Sequence, residues 1–568
     1  MSDPGVPENP AEAAGTPETT PAARVSSKLL SATALMASGT VVSRVLGFVR
    51  VLLVAYVLGT QTRQADMFAV AAGVPNMLYF LFAGGMVNAI LVPQIVRAAK
   101  RDDDGGVAYT NRILTAFLGF IAIVTVLLIA ASRGVTWLYS GADWHTAEMA
   151  AHFNSMVFLT TLLLPEVFFY GVFFVFGQVL NSRDSFAPMM WAPVANNVVQ
   201  ILVTGTYAAL WGFYTPETTA SPFTTPQTLV LGLGTLLGVV VQAIILIACL
   251  KRVGYRYRPR FDLRGTGLGH TFSVAKWTLA FMVVYQIGWI VVQRLATSAT
   301  AGSDGAGLTV YNNANLIWII PHSLLTVALA TALLPGLSRL CADGAMRSFA
   351  DTLTHGMRIV AAAIGPIGAL FVTTGLLIGA VMFRGGGGGG IGGDYIGMTL
   401  TAMAPGLLFF SLQFMIVRAF YALEDTFSAF LLQIVISGVH VVAALVAISL
   451  LDVPPNWVAP CLGLAETLSY IVGFIVSMIR FHRFVPEFKQ GPLYLFLLRV
   501  IVASLPGALL GGVIAWLVFG NSESLVADLL GLVAGGLVAA GVYLGMAKLV
   551  QVKEVGEVVT MVRSKLGR

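Results

Sequence analysis

ILTAFLGFIAIVTVLLIAAS, residues 113–132, runs for twenty residues without a charged side chain. At ~1.5 Å per residue a helix of that length crosses ~30 Å, the thickness of a bilayer's hydrocarbon core. A barrel strand would need about half the length and would alternate polar with apolar side chains, which this stretch does not. It reads as a membrane-spanning helix, and the rest of the chain follows suit. Of 568 residues 57% are hydrophobic and 11% charged, with a mean hydropathy of +0.83, a surface no water-soluble domain would carry. Fourteen apolar runs centre near residues 43, 80, 122, 165, 201, 239, 285, 322, 370, 408, 438, 469, 507 and 536. The expectation is an all-α membrane protein of about fourteen spans.

Lys and Arg set its orientation. Connections after even-numbered spans hold Arg97, Lys100, Arg101 and Arg112; Arg183; Lys251, Arg252, Arg256, Arg258, Arg260 and Arg264; Arg339 and Arg347; Arg480, Arg483 and Lys489. Those after odd-numbered spans offer little beyond Arg63, Arg133 and Arg384. By the positive-inside rule both termini are cytoplasmic. The net charge of +6 is thus a topology signal, and no nucleic-acid partner is expected. The cluster at 251–264 reads as a loop that touches anionic lipid heads. Residues 1–28 read as a disordered cytoplasmic tail with no cleaved signal, and 551–568 as a second tail. Gly385–Gly390 reads as a linker. Cys249, Cys341 and Cys461 are scattered and odd in number, so neither a disulfide framework nor a metal site is indicated.

Four stretches recur at nearly one offset. Leu46-Gly47-Phe48 matches Ile287-Gly288-Trp289 at 241, and Leu91 to Arg97 matches Leu333 to Arg339 at 242. Asp184-Ser185-Phe186 matches Asp425-Thr426-Phe427 at 241, and Pro75 matches Pro321 at 246. The repeat is six spans long and, six being even, its copies are parallel, around a central cavity. This divides the chain into a lobe at 29–262, a lobe at 263–490, and two further spans at 491–550.

The first span contains Ser43-Arg44-Val45-Leu46-Gly47-Phe48-Val49-Arg50. Each arginine costs ~2.5–3.5 kcal/mol at mid-helix on insertion scales, so both must face protein or water. Their fork geometry suits phosphate or pyrophosphate; snorkelling, or pairing with a carboxylate such as Glu166, is the structural alternative. Other ionisable residues at membrane depth are Glu166, Arg294, Arg418 and Glu466, with Asp66 opening the second span. Gln286 and Gln293 share a face of the seventh span beside Arg294, which either lines the cavity or anchors at the interface. Glu166, Arg418 and Glu466 are candidates for coupling or gating. No catalytic residues, metal site or cofactor are indicated, and nothing resembles an enzyme: no HExxH, GxSxG or aspartate cluster occurs.

These residues resemble the MurJ (MviN) lipid II flippases of the multidrug/oligosaccharidyl-lipid/polysaccharide exporter superfamily. The likeness rests on Ser43 to Arg50; on Gly177-Gln178-Val179-Leu180-Asn181 with Phe186, Pro188, Ala192-Pro193 and Asn196; and on Arg418-Ala419-Phe420-Tyr421-Ala422-Leu423-Glu424-Asp425-Thr426. The resemblance implies two lobes around a cationic cavity, with a groove from the last two spans for a polyprenyl tail. It implies as cargo lipid II, an undecaprenyl-pyrophosphate-linked disaccharide-pentapeptide, moved to the outer leaflet for peptidoglycan synthesis, with membrane lipids and cell-wall synthesis or division proteins as partners. Na+, H+ or the membrane potential would drive it. The family's first-span arginines match Arg44 and Arg50 and its second-span aspartate Asp66. Arg294 is conjectured to stand in for an arginine missing from the eighth span. Val51 stands where many members carry an acid, Tyr79 where they carry a base, and Leu316 and Asn315 where they carry an arginine and an aspartate. Some actinobacterial relatives append a kinase-like domain, which this chain is expected to lack. Three other readings stand beside this one: a flippase for another polyprenyl-linked glycan, a drug or ion antiporter of the same fold, and a non-transporting scaffold for wall synthesis. Arginines rather than carboxylates in the first span argue against a cationic cargo, and a scaffold has no need to bury them.

Overall fold

The computed structural model describes residues 21–81, 104, 106–183, 185–262, 268–302, 305–383, 391–520 and 524–565. Among them the regular structure is entirely helical. The first half comprises α1 (Pro21–Leu58), α2 (Arg63–Tyr79), α3 (Val107–Ala130), α4 (Ser132–Tyr139), α5 (Ala150–Leu163), α6 (Glu166–Asn181), α7 (Ala187–Trp211) and α8 (Thr225–Arg252). The second comprises α9 (Leu268–Ala301), α10 (Leu308–Pro321), α11 (Val327–Ala342), α12 (Met346–Met382), α13 (Ile391–Met403), α14 (Gly406–Ala422), α15 (Thr426–Leu445) and α16 (Val458–Phe484). After them come α17 (Gln490–Gly520), α18 (Leu525–Leu549) and α19 (Glu554–Lys565).

Among the described residues 11 helices are long and apolar enough to cross a membrane, or 12 if α13 and α14, bent by 49°, form one span. The expected count of fourteen is not reached, for two physical reasons. Only the first part of the second span falls within the described residues, and α7 carries Asn196, Asn197 and Gln200, amides that lower its hydropathy. Helix also extends beyond the expected boundaries: α1 begins at Pro21, inside the tail expected at 1–28, and α19 occupies most of the tail expected at 551–568. The glycine run 385–390 and the anchors at 91–97 and Asp184 lie outside the described residues.

The two halves share one packing scheme. In the first, α1 packs on α7, α7 on α8, α8 on α5 and α6, and α6 on α3; in the second, α9 packs on α15, α15 on α16, α16 on α13 and α14, and α14 on α12. A Cβ placed on Gly47 would meet Asn197 at 3.7 Å, and one on Gly288 would meet Ser437 at 3.0 Å, so the matched glycines face matched helices. The halves also break alike. Pro165 and Pro405, 240 apart, lack the N–H that would continue their helices. At both breaks a tight turn follows, with Val167 N–H donating to the Leu164 carbonyl at 3.1 Å and Leu407 N–H to the Ala404 carbonyl at 3.2 Å. A π-turn begins near residue 80 in the first half and at His322 in the second.

The added pair α17 and α18 meet through glycine. Cβ atoms on Gly511 and Gly535 would each run into the other's carbonyl oxygen, the close backbone approach that small residues at four-residue spacing permit in membranes. The pair rests on α12 through Thr373, which donates to the Ala508 carbonyl at 3.0 Å, and Tyr543, which donates to the Ala362 carbonyl at 2.7 Å.

Candidate functional site

The face of the bundle where α1 ends, at Leu58, is termed distal here, and the opposite face proximal. Counting from Leu58 at ~1.5 Å per residue, Arg50 lies ~12 Å and Arg44 ~21 Å along α1, both within the depth of a hydrocarbon core.

α7 presents two amides, Asn197 and Gln200, to α1, while Asn196 lies against Gly238 of α8. Asn197 donates to the Ser43 carbonyl at 2.9 Å and packs against Gly47. Gln200 donates to Asn196 Oδ1 at 2.7 Å and accepts from Arg50 Nη1 at 2.6 Å. The half-buried Arg50 is thereby held by a neutral partner. Glu166, at the break before α6, is 1% exposed, near enough to Arg50 to interact electrostatically, and its Oε1 has no hydrogen-bond partner among the described residues. Tyr170 lies beside Glu166, and the Tyr79 ring stands 5.3 Å from that of Tyr170. Arg44 is exposed and has neither a hydrogen bond nor an ion pair with any described residue. The ion pairs among the described residues all lie elsewhere, Arg112 and Arg260 with Asp262 and His355 and Arg358 with α19.

Asp66 is not with the arginines. It sits in the first turn of α2 at the distal face, 0% exposed, and reaches into the second half. Its carboxylate accepts from the Thr300 hydroxyl at 2.7 Å and from the Leu308 N–H at 3.0 Å. It also accepts from Thr309, through the N–H at 2.8 Å and the hydroxyl at 2.6 Å. The acceptor thus caps α10, whose first N–H groups have no partner within the helix and whose positive end favours a carboxylate. Arg63 Nε adds a bond to the Ala301 carbonyl at 3.2 Å.

Arg294 belongs to the same junction. Its Nη1 donates to the Trp137 and Leu138 carbonyls at 2.7 and 3.2 Å, at the end of α4, and its guanidinium lies 5.0 Å from the centre of the Trp137 ring. Its polar contacts thus join the two halves and do not involve Arg44 or Arg50. Gln286 and Gln293 do share a face, and both donate to Tyr139, through its hydroxyl at 2.7 Å and its carbonyl at 3.4 Å. Thr297 accepts from the Gly141 N–H at 2.8 Å, and its carbonyl accepts from the Trp144 indole at 2.7 Å. All the principal packing between the halves among the described residues runs through α2, α4 and residues 142–145 on one side and α9 and α10 on the other. The halves are therefore latched at the distal face.

The remaining candidates lie in the second half. Glu466 on α16 is 5% exposed and accepts from the Tyr311 hydroxyl at 2.8 Å, with Tyr285 and Tyr470 close by. Arg418 is half-buried, its guanidinium 4.8 Å from the Phe414 ring centre and 6.0 Å from that of Tyr421. No group of three or more metal-ligating side chains occurs among the described residues. Sequence reasoning missed Gln200, though three amides within five residues of an apolar span signalled a polar face. It also missed Thr300 and Thr309, whose role depends on a contact between halves.

Outside the spans, Arg112 on α3 donates to Asp262 at 2.7 Å and holds that carboxyl below its ordinary range.

The family model for the lipid II flippase MurJ matches residues 54–531. A probable lipid II flippase MurJ of Vibrio cholerae is 27% identical over 413 residues, 71% of this chain and 74% of its own. That of Rhizobium tropici is 26% identical over 540 residues, 93% of this chain and 94% of its own. Among solved structures, a lipid II flippase MurJ in an inward closed conformation superposes with a TM-score of 0.68, covering 91% of this chain and 98% of its own at 18% identity. An inward-facing multidrug resistance MATE transporter of the MOP superfamily follows at 0.53, covering 77% and 98% at 14% identity. These two share the fold. The family match begins beyond Arg50, near the end of α1, and runs through both halves and α17 into α18, and the chain belongs to the lipid II flippase MurJ family.

Proposed function

We propose that this chain carries lipid II from the cytoplasmic to the outer leaflet of the bacterial inner membrane by alternating access, rocking residues 29–262 against 263–490. Both termini are cytoplasmic in this reading, the distal face is the outer face, and the latch at Asp66 and Arg294 keeps it shut while cargo enters from within. The observation that carries the reading is Arg44: exposed, at mid-membrane depth, without a counter-charge among the described residues, and six residues from an Arg50 whose hydrogen bond goes to a neutral amide. A pyrophosphate supplies the missing anion and can take up both guanidinium forks. The glycine-packed pair at 491–550 forms a groove for the polyprenyl tail. Glu466, buried against a tyrosine hydroxyl, is the site at which Na+ or H+ couples, with Glu166 as its counterpart in the first half.

The test is reconstitution of the full chain with fluorescent lipid II and a leaflet-specific readout, with and without a membrane potential. Wild-type protein should expose cargo on the far leaflet and Arg44→Ala should not. Equal movement by both would remove the arginine from the reading, and movement by neither, in vesicles where the protein is shown to be inserted, would remove lipid II.

A further inference from the structure

α8 ends at Arg252, and Gly254, with a φ of 77°, turns the chain back. Residues 255–262 then run without helix along the start of α3. Successive side chains of extended backbone point to opposite sides, and here one side is pinned. The Tyr255 hydroxyl donates to Asn111 Oδ1 at 2.7 Å, buried, and the same oxygen accepts the Arg258 N–H at 3.4 Å. One turn further along α3, Thr115 Oγ1 accepts the Arg260 N–H at 2.9 Å and lies 2.9 Å from the Tyr257 hydroxyl. Tyr255 also carries the Arg183 guanidinium 4.8 Å from its ring centre. The strap is fixed along its length and its inward row is tyrosine.

The outward row is cationic. Arg256 and Arg258 are exposed, as are Lys251 and Arg252 at the end of α8. Arg112 and Arg260 share one carboxylate, Asp262, at 2.7 and 3.3 Å; the other four cations have no ion-pair partner among the described residues. The alternation ends after Arg258: Pro259 is exposed, and Phe261 beyond it is 83% exposed beside the cations. A basic loop needed only for topology would leave its arginines on mobile chain and would have no use for an aromatic ring held out among them. Fixed cations beside an exposed aromatic at the end of a membrane helix match the headgroup layer, where phosphates meet the cations and the ring enters the interfacial zone.

We propose that the strap 255–262, with Lys251 and Arg252, is a binding surface for the phosphate-bearing headgroups of anionic phospholipids. Arg256 and Arg258 meet the phosphate oxygens, and Phe261 seats the strap in the interface. The strap begins the connection between the two halves, so lipid bound there fixes the first half's end of that connection. This surface is separate from Arg44 and Arg50, and the proposal does not rest on the identity of the cargo.

Native mass spectrometry of the full chain in neutral detergent, titrated with phosphatidylglycerol or phosphatidylcholine, reads it directly. Wild type should hold phosphatidylglycerol in preference, and the preference should fall as salt rises. Arg256→Gln with Arg258→Gln should weaken it roughly fivefold per charge, the equivalent of ~1 kcal/mol each. Arg256→Lys with Arg258→Lys should retain it. Tyr255→Phe, which keeps every cation and cuts the pin to Asn111, should lower it. Should the Gln pair fail to fold, the Lys pair, Tyr255→Phe and the salt series still decide. Equal retention of the two lipids by wild type, or a preference unchanged in the Gln pair, overturns the proposal. So does displacement of phosphatidylglycerol by inorganic pyrophosphate at the same concentration as by phosphatidylglycerol itself, which would assign the surface to the cargo.

Discussion

The Asp66 carboxylate accepts both the backbone N–H and the hydroxyl of Thr309, at 2.8 and 2.6 Å, across 243 positions of sequence and between the two halves of the molecule. One side chain thus caps a helix of the opposite lobe and closes the distal face. In the proposed alternating-access cycle this latch opens once per turnover, and its strength then sets the equilibrium between closed and open forms. Charge-assisted hydrogen bonds contribute ~1.5–3 kcal/mol each, and Asp66→Asn removes the charge while turning one acceptor oxygen into a donor that faces N–H groups. The closed form should lose at least one such bond, a shift of roughly tenfold or more toward the open form. A cysteine at Ser298, beside the Gly141 contact, should then label faster with an impermeant thiol reagent from the distal side. Labelling as slow as in the unmutated latch would mean that Asp66 does not hold the closure.

Glu466 and Tyr311 form a smaller unit, and two substitutions separate its roles. Tyr311→Phe removes the hydroxyl that donates to the Glu466 carboxylate at 2.8 Å and leaves a buried acceptor short, at ~1–3 kcal/mol. It should lower the melting temperature in detergent. Glu466→Gln keeps an acceptor for Tyr311 but cannot bind a cation electrostatically or release a proton. Where coupling runs through this residue, transport by Glu466→Gln should lose its dependence on the ion gradient while a slower, gradient-independent movement remains. An unchanged gradient dependence would move coupling to another residue, Glu166 first.

The close seam of α17 and α18 predicts a steric effect. Gly511 and Gly535 each present Cα to the other's carbonyl, and neither has room for a methyl group. Gly511→Ala or Gly535→Ala should force the helices apart at ~1–3 kcal/mol, the range for overpacking. Gly536 and Gly541, whose added Cβ would meet nothing within 4 Å, should accept alanine without loss. Equal melting temperatures for all four variants would mean that the pair is held by something other than its glycine faces.

How far the sequence carries can be judged residue by residue. The six-span repeat was legible because Gly47 and Gly288 recur at one offset, and they do meet matched helices, α7 and α15. The break shared by Pro165 and Pro405 sat at nearly the same offset and escaped notice, since a lone proline in an apolar run carries little signal. Arg294 shows the limit. Helical periodicity places it beside Gln293 but cannot say that the Trp137 and Leu138 carbonyls, some 157 residues earlier, will be its partners. The same holds for Asp66, where a carboxylate in the first turn of a helix ordinarily serves its own helix; here it serves α10. The span expected near residue 201 is present as α7 (Ala187–Trp211), although its amides, two of them facing α1, keep its hydropathy low.

The last prediction concerns the two arginines, which differ in how they are held. Arg50 donates to Gln200 at 2.6 Å and has Glu166 nearby, whereas Arg44 has no partner among the described residues. If both bind the pyrophosphate, alanine at either should abolish complementation of a flippase-depleted strain while membrane abundance stays normal. Lys keeps the charge and loses the fork, so transport should fall in part at both sites. Gln200→Ala distinguishes them further. It frees Arg50 from its neutral anchor without removing charge, so cargo binding should persist while its apparent affinity drops by roughly fivefold, the worth of about one hydrogen bond. Added to Arg44→Lys, the same substitution should lower affinity by about that factor again, since the two act through different arginines. Normal growth with both alanine variants would sink the assignment. Loss of Arg50→Ala from the membrane, with Arg44→Ala retained, would instead make Arg50 a structural partner of α7 and leave Arg44 as the single anion contact on α1.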